Sequence, residues 1–380
     1  MRIGIDARLW NQTGVGRYIR NLVKNLQEID FKNEYVLFVK KEDFDAIHNS
    51  EFIIQNSKWK IVETDIKWHS LKEQIELPKL LNKENLDLVH FPYFSMPLLY
   101  KKPFVVTIHD LIVHHFPTGR ASTLPFPLYK IKRKGYERVI DHAVKKSEKI
   151  IVPLYAVKED LIRTLNVPAE KIIVTYEGVD KKISNIKYQI SNITRNKYGK
   201  YFLYVGNAYP HKNLERLIAA FTKFSKKTGT ENVKLFLVGK DDFFYKRLEK
   251  KVKEQDLDSV IFLHNVTDKD LSKFYKNAIA LVIPSLMEGF GLPAVEAMSN
   301  NCLVIASNIK SLNEVCSNTA IYFDPLNPQD LAKKMTEVFQ NGKNHYKNNF
   351  RETKKRLTLF SWKKMSEETL QVYESCFSIR

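Results

Sequence analysis

The sequence predicts an α/β chain built as two doubly wound halves. Short apolar runs, rich in β-branched and aromatic residues, alternate with helix-length stretches along all 380 residues. The alternation restarts after residue 180, and the chain exceeds the roughly 100–200 residues of one ordinary domain. Near-continuous apolar strands separated by helices are the pattern of parallel sheets covered on both faces.

In the first half the strand runs are Arg2–Asp6, Tyr35–Lys40, Leu86–Phe91, Phe104–His109 and Lys149–Pro153, with helices predicted at Arg17–Leu26 and Pro127–Lys146. In the second half they are Tyr201–Gly206, Lys234–Gly239, Val260–His264, Ala280–Pro284, Leu303–Ser307 and Ala320–Asp324. The joint falls near Tyr176–Asp180, which reads YEGVD. The closing stretch, Phe360–Phe377, reads as a helix capped by Ser361, with Trp362, Met365, Leu370, Val372 and Tyr373 as loosely periodic apolar positions.

Composition narrows the class. Apolar residues make up 44%, enough for a sizeable core, and Gly 13 with Pro 14 excludes collagen-like or linker-dominated chains. The net charge of +18 suits an anionic partner: nucleic acid, an acidic membrane surface or a phosphorylated substrate. Three segments hold the surplus: 120–149 at net +6, 181–200 at net +6 and 343–364 at net +7. No apolar run approaches the 18 residues of a membrane span. Asp6 interrupts the apolar core that a signal peptide needs, so secretion is not expected. Cys302, Cys316 and Cys376 are odd in number and far apart. They form neither a disulfide framework nor a zinc site, and a reducing cytoplasm fits.

Four constellations can carry chemistry. Thr13-Gly14-Val15-Gly16-Arg17-Tyr18 follows the first strand and opens a helix. Glycines there let a ligand approach the backbone and the helix start favours an anion; a tight turn without a ligand fits equally. The spacing is not G-x-G-x-x-G, so a nicotinamide cofactor is not supported. His109, in Thr107-Ile108-His109-Asp110, stands at a strand's carboxyl end, where open α/β sheets place ligands; the alternative is a buried His tied to a backbone carbonyl. Lys212, in the segment Gly206–Asn213, suits a phosphate; a solvated surface lysine is the commoner case. The most specific segment runs from Pro284 to Met298. A helix starts at Pro293 there, and the free N–H groups of Gly289, Phe290, Gly291 and Leu292 suit a phosphate or sugar oxygen. Glu288 sits in the turn. Glu296 sits among Ala294, Val295, Ala297 and Met298 in a helix apolar nearly all round, so its carboxylate needs a partner.

At this segment the sequence resembles the family-4 retaining glycosyltransferases, whose signature is two glutamates separated by seven residues with E-G-F-G-L-P at the first. Glu288 and Glu296 match it. Gly14–Tyr18, His109-Asp110, Tyr176–Asp180, Gly206–Asn213 and the Phe360-Ser361-Trp362 start of the last helix follow in family order. The resemblance implies the GT-B fold. That fold has an acceptor-binding Rossmann-like domain, here 1–175, a donor-binding one, 176–356, and a C-terminal helix, 357–380, returning to the first across a central cleft. It implies that Glu288 holds donor-sugar hydroxyls, that Glu296 holds the ribose, and that Lys212 neutralises the diphosphate with the backbones of Phe290–Leu292 and Gly14–Gly16. It also implies that His109 contacts the transferred sugar and that the nucleobase lies near Gly239–Lys240 and Asn265–Val266. Two departures stand out. Asn207 occupies a position where many members carry arginine, leaving His211 as a helper to Lys212. Pro153-Leu154-Tyr155 replaces a serine-rich turn.

The implied chemistry is retaining hexosyl transfer without a metal. The leaving group is a nucleoside diphosphate, so stabilising its growing charge is the main task. Asp-x-Asp, the metal motif of a different transferase fold, occurs at Asp43–Asp45, Asp256–Asp258 and Asp268–Asp270. None follows a strand in a convincing site; the last follows Thr267 as a helix cap does. With no obvious carboxylate nucleophile, front-face attack by the acceptor hydroxyl is expected, with the departing phosphate as its base. GDP-mannose is the favoured donor, with UDP-sugars open, and the acceptor is a glycan or lipid-linked hydroxyl in cell-surface polysaccharide or glycolipid synthesis. No cofactor and no nucleic-acid partner are expected. Lys130, Lys134 and Arg138, with Arg17 elsewhere in the acceptor half, are candidates for acceptor or membrane contact on the inner face of the cytoplasmic membrane. The competing readings are a nucleotide-sugar epimerase on the same fold and a basic nucleic-acid-binding protein.

Overall fold

The computed structural model describes residues 1–48, 57–117, 126–179, 199–227 and 229–377. The basic segment 181–200 lies almost wholly outside them. Two compact units form, Met1–Glu177 with Ser361–Arg380, and Gly178–Phe360.

Unit 1 is a seven-stranded parallel sheet in the order β3-β2-β1-β4-β5-β6-β7. Its elements in chain order are β1 (Arg2–Asp6), α1 (Gly14–Ile29), β2 (Glu34–Lys40), α2 (Lys41–His48), β3 (Trp59–Thr64), α3 (Leu71–Lys83), β4 (Leu88–Phe91) and β5 (Phe104–Thr107). The short helix α4 (Ile112–His115), the long helix α5 (Phe126–Lys146), β6 (Ile150–Val152), α6 (Tyr155–Leu165) and β7 (Ile172–Val174) follow. The chain order reverses between β1 and β4, which opens the ligand crevice of such sheets at the strands' carboxyl ends. Helix α1 buries Tyr18, Ile19, Leu22, Val23 and Leu26 on one face, the spacing that sequence periodicity demands.

Unit 2 repeats the plan with six parallel strands, β10-β9-β8-β11-β12-β13. Its elements are β8 (Tyr201–Val205), α7 (Leu214–Ser225), β9 (Lys234–Val238), α8 (Phe243–Glu254), β10 (Val260–Leu263), α9 (Asp268–Asn277) and β11 (Leu281–Ile283). Then come α10 (Leu292–Ser299), β12 (Val304–Ser307), α11 (Lys310–Cys316), β13 (Ile321–Phe323), α12 (Pro328–His345) and α13 (Lys347–Leu357). The core under β8 includes Phe202, Phe221 and Phe224, all within 1% exposure. Each such ring contributes roughly 1.5–3 kcal/mol.

The last helix, α14 (Trp362–Ser375), belongs to unit 1 and packs on α1. Ser361 caps it, its side chain accepting from the N–H of Lys364 at 3.3 Å. The division between units falls at 177/178 rather than 175/176, and the side chain of Glu177 meets His109 of unit 1. At the far end it falls at 360/361 rather than 356/357. Arg356 Nε donates to the carbonyl of Val315 at 3.0 Å and keeps α13 in unit 2. No helix among the described residues is long and apolar enough to cross a membrane. Cys302, Cys316 and Cys376 are buried thiols.

Candidate active site

In unit 2 the site grows from the switch point between the adjacent strands β8 and β11. After β8 the chain runs through Asn207 into a single tight turn at Pro210–Lys212. Asn213 follows in the left-handed region at φ 62°, a conformation that asparagine tolerates. Its amide donates to the carbonyls of Pro284 at 2.9 Å and Pro325 at 2.8 Å. The Leu286 N–H donates to the His211 carbonyl at 2.8 Å. These ties hold the turn against the segment that follows β11.

The consequence is a direct contact between two of the sequence candidates. Lys212 Nζ donates to both oxygens of Glu288, at 2.8 and 2.7 Å. Ser285 donates to the same carboxylate at 2.6 Å. Both partners are largely out of solvent, with side-chain exposures of 15% and 10%. Burial pulls the Glu288 carboxyl up, but the Lys212 ammonium and the Ser285 hydroxyl outweigh it and hold it below the usual range. His211 is buried beside them. Burial and the neighbouring Lys212 charge pull it down to about 4, so at neutral pH it adds no positive charge as a helper.

Helix α10 starts at Leu292, one residue before the predicted proline, which takes the second position. Its N-cap is Gly291 at φ 92°, a backbone state closed to most side chains, and no side chain caps the helix. Among the described residues, the N–H groups of Gly289, Phe290 and Gly291 have no protein acceptor. An uncapped helix start beside Lys212 and Glu288 is a donor array fit for an anion. Phe290 is buried and meets Phe360 edge-on at 5.5 Å, which fixes the turn. Glu296 is 4% exposed and receives the phenol of Tyr275 from α9 at 2.8 Å, the partner its apolar helix requires. Lys240 is exposed and Val266 partly exposed, past the ends of β9 and β10. Of the Asp-x-Asp runs, Asp268–Asp270 is a capped helix start, with the Asp270 N–H donating to Thr267 Oγ1 at 3.2 Å.

In unit 1, Gly14 is open, whereas a Cβ on Gly16 would lie 2.3 Å from the Trp10 carbonyl. Gly16 is therefore required by the packing of α1 on the preceding loop, and Arg17 is half-buried on the same turn. His109 follows β5. Its Nδ1 lies 3.1 Å from Glu177 Oε1 and its Nε2 lies 3.0 Å from the Pro92 carbonyl. Both partners are acceptors, so a protonated ring satisfies both contacts at once. Burial would lower its pKa, but Glu177 and Pro92 raise it above the ordinary value. Beneath it, buried His90 links Thr107 at 2.7 Å to Tyr373 of α14 at 2.6 Å. Tyr18 closes the cluster edge-on to His109 at 5.0 Å. Lys130, Lys134 and Arg138 are exposed on α5 beside the exposed apolar side chains Leu128 and Ile131.

The His109–Glu177 pair sets a pH dependence. A histidine raised on folding adds stability below its unfolded value of about 6.5 and loses it as pH rises through the folded value. The melting temperature of the native chain therefore exceeds that of Glu177→Gln most below about pH 6.5, and the margin shrinks above it. A margin that widens with pH contradicts the raised His109 pKa.

The sequence alone did not identify Ser285, Asn213, Tyr275 or Glu177. Glu177 lies within the YEGVD segment, Ser285 within Pro284–Met298 and Asn213 within Gly206–Asn213. Tyr275 carries no local signal, since only the packing of α9 on α10 brings it to Glu296.

Two parallel Rossmann-like sheets, one with a paired lysine and glutamate at its switch point, are features that the GT-B resemblance implies. Family comparison agrees. Residues 12–182 match the model for Glycosyltransferase Family 4 and residues 186–356 match that for Glycosyl transferases group 1. The chain belongs to this glycosyltransferase family. It is 31% identical over 259 residues to the O-antigen chain mannosyltransferase RfbU of Salmonella typhimurium, covering 68% of this chain and 66%, just under two thirds, of that one. It is 26% identical to the O-antigen chain mannosyltransferase B of Escherichia coli, covering 95% and 96%. Among solved structures it is similar to the sucrose-phosphate synthase of Thermosynechococcus elongatus, with TM-score 0.77, 20% identity and full coverage of both chains. Anabaena HepE in complex with UDP and glucose gives TM-score 0.74 at 17% identity, covering 99% and 100%.

Proposed function

We propose that the chain is a retaining, metal-independent hexosyltransferase that moves mannose from GDP-mannose to a glycan or lipid-linked hydroxyl in polysaccharide synthesis. The observation that carries this reading is the Lys212–Glu288 pair beside the uncapped start of α10. An ammonium has three N–H donors, so Lys212 can keep Glu288 and still donate to a phosphate oxygen. It thereby links the leaving diphosphate to the carboxylate that receives sugar hydroxyls, and the free N–H groups before α10 take up further developing charge. Both Glu288 oxygens are already engaged, which leaves that carboxylate unsuited as a covalent nucleophile and favours front-face attack. Both ring nitrogens of His109 face protein acceptors, which leaves neither placed to take the acceptor proton, so in this reading the proton goes to the departing phosphate. The mannose preference is supported by relatives named as mannosyltransferases.

The test is nucleotide release from a panel of donors. GDP-mannose is expected to turn over fastest. Preference for UDP-glucose, UDP-galactose or UDP-N-acetylglucosamine overturns the mannose assignment alone. Release from no donor overturns the transferase reading.

A further inference from the structure

A second constellation stands at the carboxyl edge of the unit 1 sheet. The loop after β3 carries Trp68 and His69, and the loop after β4 carries Tyr93, Phe94 and Ser95. The Trp68 and His69 rings lie 4.6 Å apart, and the Tyr93 ring lies 6.4 Å from Trp68 and 6.1 Å from His69. Trp68 and Tyr93 are partly exposed and His69 is exposed. Trp10, Trp59 and Trp362 are each at most 8% exposed, which makes Trp68 the solvent-facing member of the four tryptophans.

Below this surface His69 is locked. Its backbone sits at φ 56° and its N–H donates to Glu73 Oε2 at 3.0 Å. Arg8, 2% exposed, holds Glu73 at 2.7 Å and Asp6 at 2.6 Å. Burial raises the Glu73 carboxyl and Arg8 offsets part of that. Its two oxygens take donors from Arg8, the His69 backbone and Ser95, the arrangement of an ionised carboxylate. The single Ser95 proton goes to Glu73, at 3.2 and 3.0 Å. Ser95 Oγ therefore accepts from His69 Nδ1–H, 3.1 Å away. The other ring nitrogen, Nε2, is left as a lone pair with no protein partner among the described residues. Desolvation by the surrounding rings, with Lys132 and Arg8 nearby, pulls His69 down to about 4, so it is neutral at pH 7.

We propose that Trp68, His69 and Tyr93 form a saccharide-binding subsite, in which His69 Nε2 accepts a hydrogen bond from a sugar hydroxyl while a pyranose ring packs on the aromatic side chains. A pyranose offers both an apolar C–H face and outward hydroxyl donors. The buried Arg8 is committed to two carboxylates and offers nothing to an anion. The subsite's role, holding the acceptor glycan, rests on the transferase reading; its existence does not.

The experiment uses full-length protein with 5-fluorotryptophan, the Trp68 signal being assigned by Trp68→Phe. Methyl α-mannoside and an α-linked mannobiose are the probes, and ¹⁹F NMR follows the titration. The expected result is a saturable shift of the Trp68 signal alone. His69→Asn, which retains the left-handed backbone but is too short to reach the sugar, weakens binding about fivefold, the effect of one hydrogen bond. Long-range ¹H–¹⁵N correlation places the His69 proton on Nδ1. An unmoved Trp68 signal, unaltered affinity in His69→Asn, or a proton on Nε2 overturns the proposal. A Trp68 shift in a chain that turns over no donor leaves the subsite standing and sinks the transferase reading. Turnover without that shift does the reverse.

Discussion

Glu288→Gln loses about 10²–10³ in turnover, the cost of removing one charged group from a transition-state array. The variant keeps the shape of the carboxylate but returns only half of what Lys212 now receives from two oxygens. It also offers sugar hydroxyls one acceptor oxygen in place of two. Glu288→Ala lowers activity at least as far and is destabilised by about 3 kcal/mol, since it strands a largely buried ammonium. The pair of variants separates the two effects. Nucleotide release gives the chemical cost, and urea unfolding gives the structural one. Near-normal turnover in Glu288→Gln contradicts the site. The lowered Glu288 pKa carries its own signature. Stability from the pair is present above the unfolded value of about 4.3 and is lost as pH falls through the folded value.

Lys212→Ala is the second large effect. Its removal takes away the positive charge that the proposed mechanism sets against the leaving diphosphate, and leaves Glu288 the Ser285 hydrogen bond without its ion pair. Turnover falls by roughly 10²–10³. His211 cannot replace the charge, because burial and its surroundings keep it neutral. Lys212→Arg restores charge but not the compact point donor, and recovers only part of the loss. Unchanged kcat in Lys212→Ala removes the lysine from the mechanism.

The central strands were legible because parallel strands buried on both faces read as continuous apolar runs. Val36–Val39 and Leu235–Val238 are completely or almost completely buried. The two strands that were not foreseen, Trp59–Thr64 and Ile172–Val174, are the edges of the unit 1 sheet. The first buries only its two end residues, Trp59 and Thr64, and the second is three residues long, so neither leaves a period to read. The same logic applies to the site. Glu288 and Glu296 stood out as candidates from their local motif, and Lys212 from the family resemblance. The Lys212–Glu288 contact was not legible, because it depends on β8 lying beside β11 and on Asn213 bonding to Pro284. Partners supplied by packing, such as Tyr275 for Glu296 and Ser95 for His69, have no signature along the chain. Gly16 shows the converse: it reads as a ligand-facing glycine, yet backbone contact with Trp10 accounts for it.

The +18 charge is likewise partitioned by the fold. Lys212 is paired with Glu288, whereas Lys130, Lys134 and Arg138 face solvent on α5. Mean charge therefore speaks to the surface and not to the chemistry.

The claim that a nucleoside diphosphate binds at Lys212 is tested most directly by thermal shift with GDP on the wild type and Lys212→Ala in parallel. GDP raises the wild-type melting temperature saturably, equivalent to about 2.7 kcal/mol at a hundredfold excess over Kd, and Lys212→Ala loses most of that gain. Equal stabilisation of both proteins, or none by any nucleoside diphosphate, contradicts it.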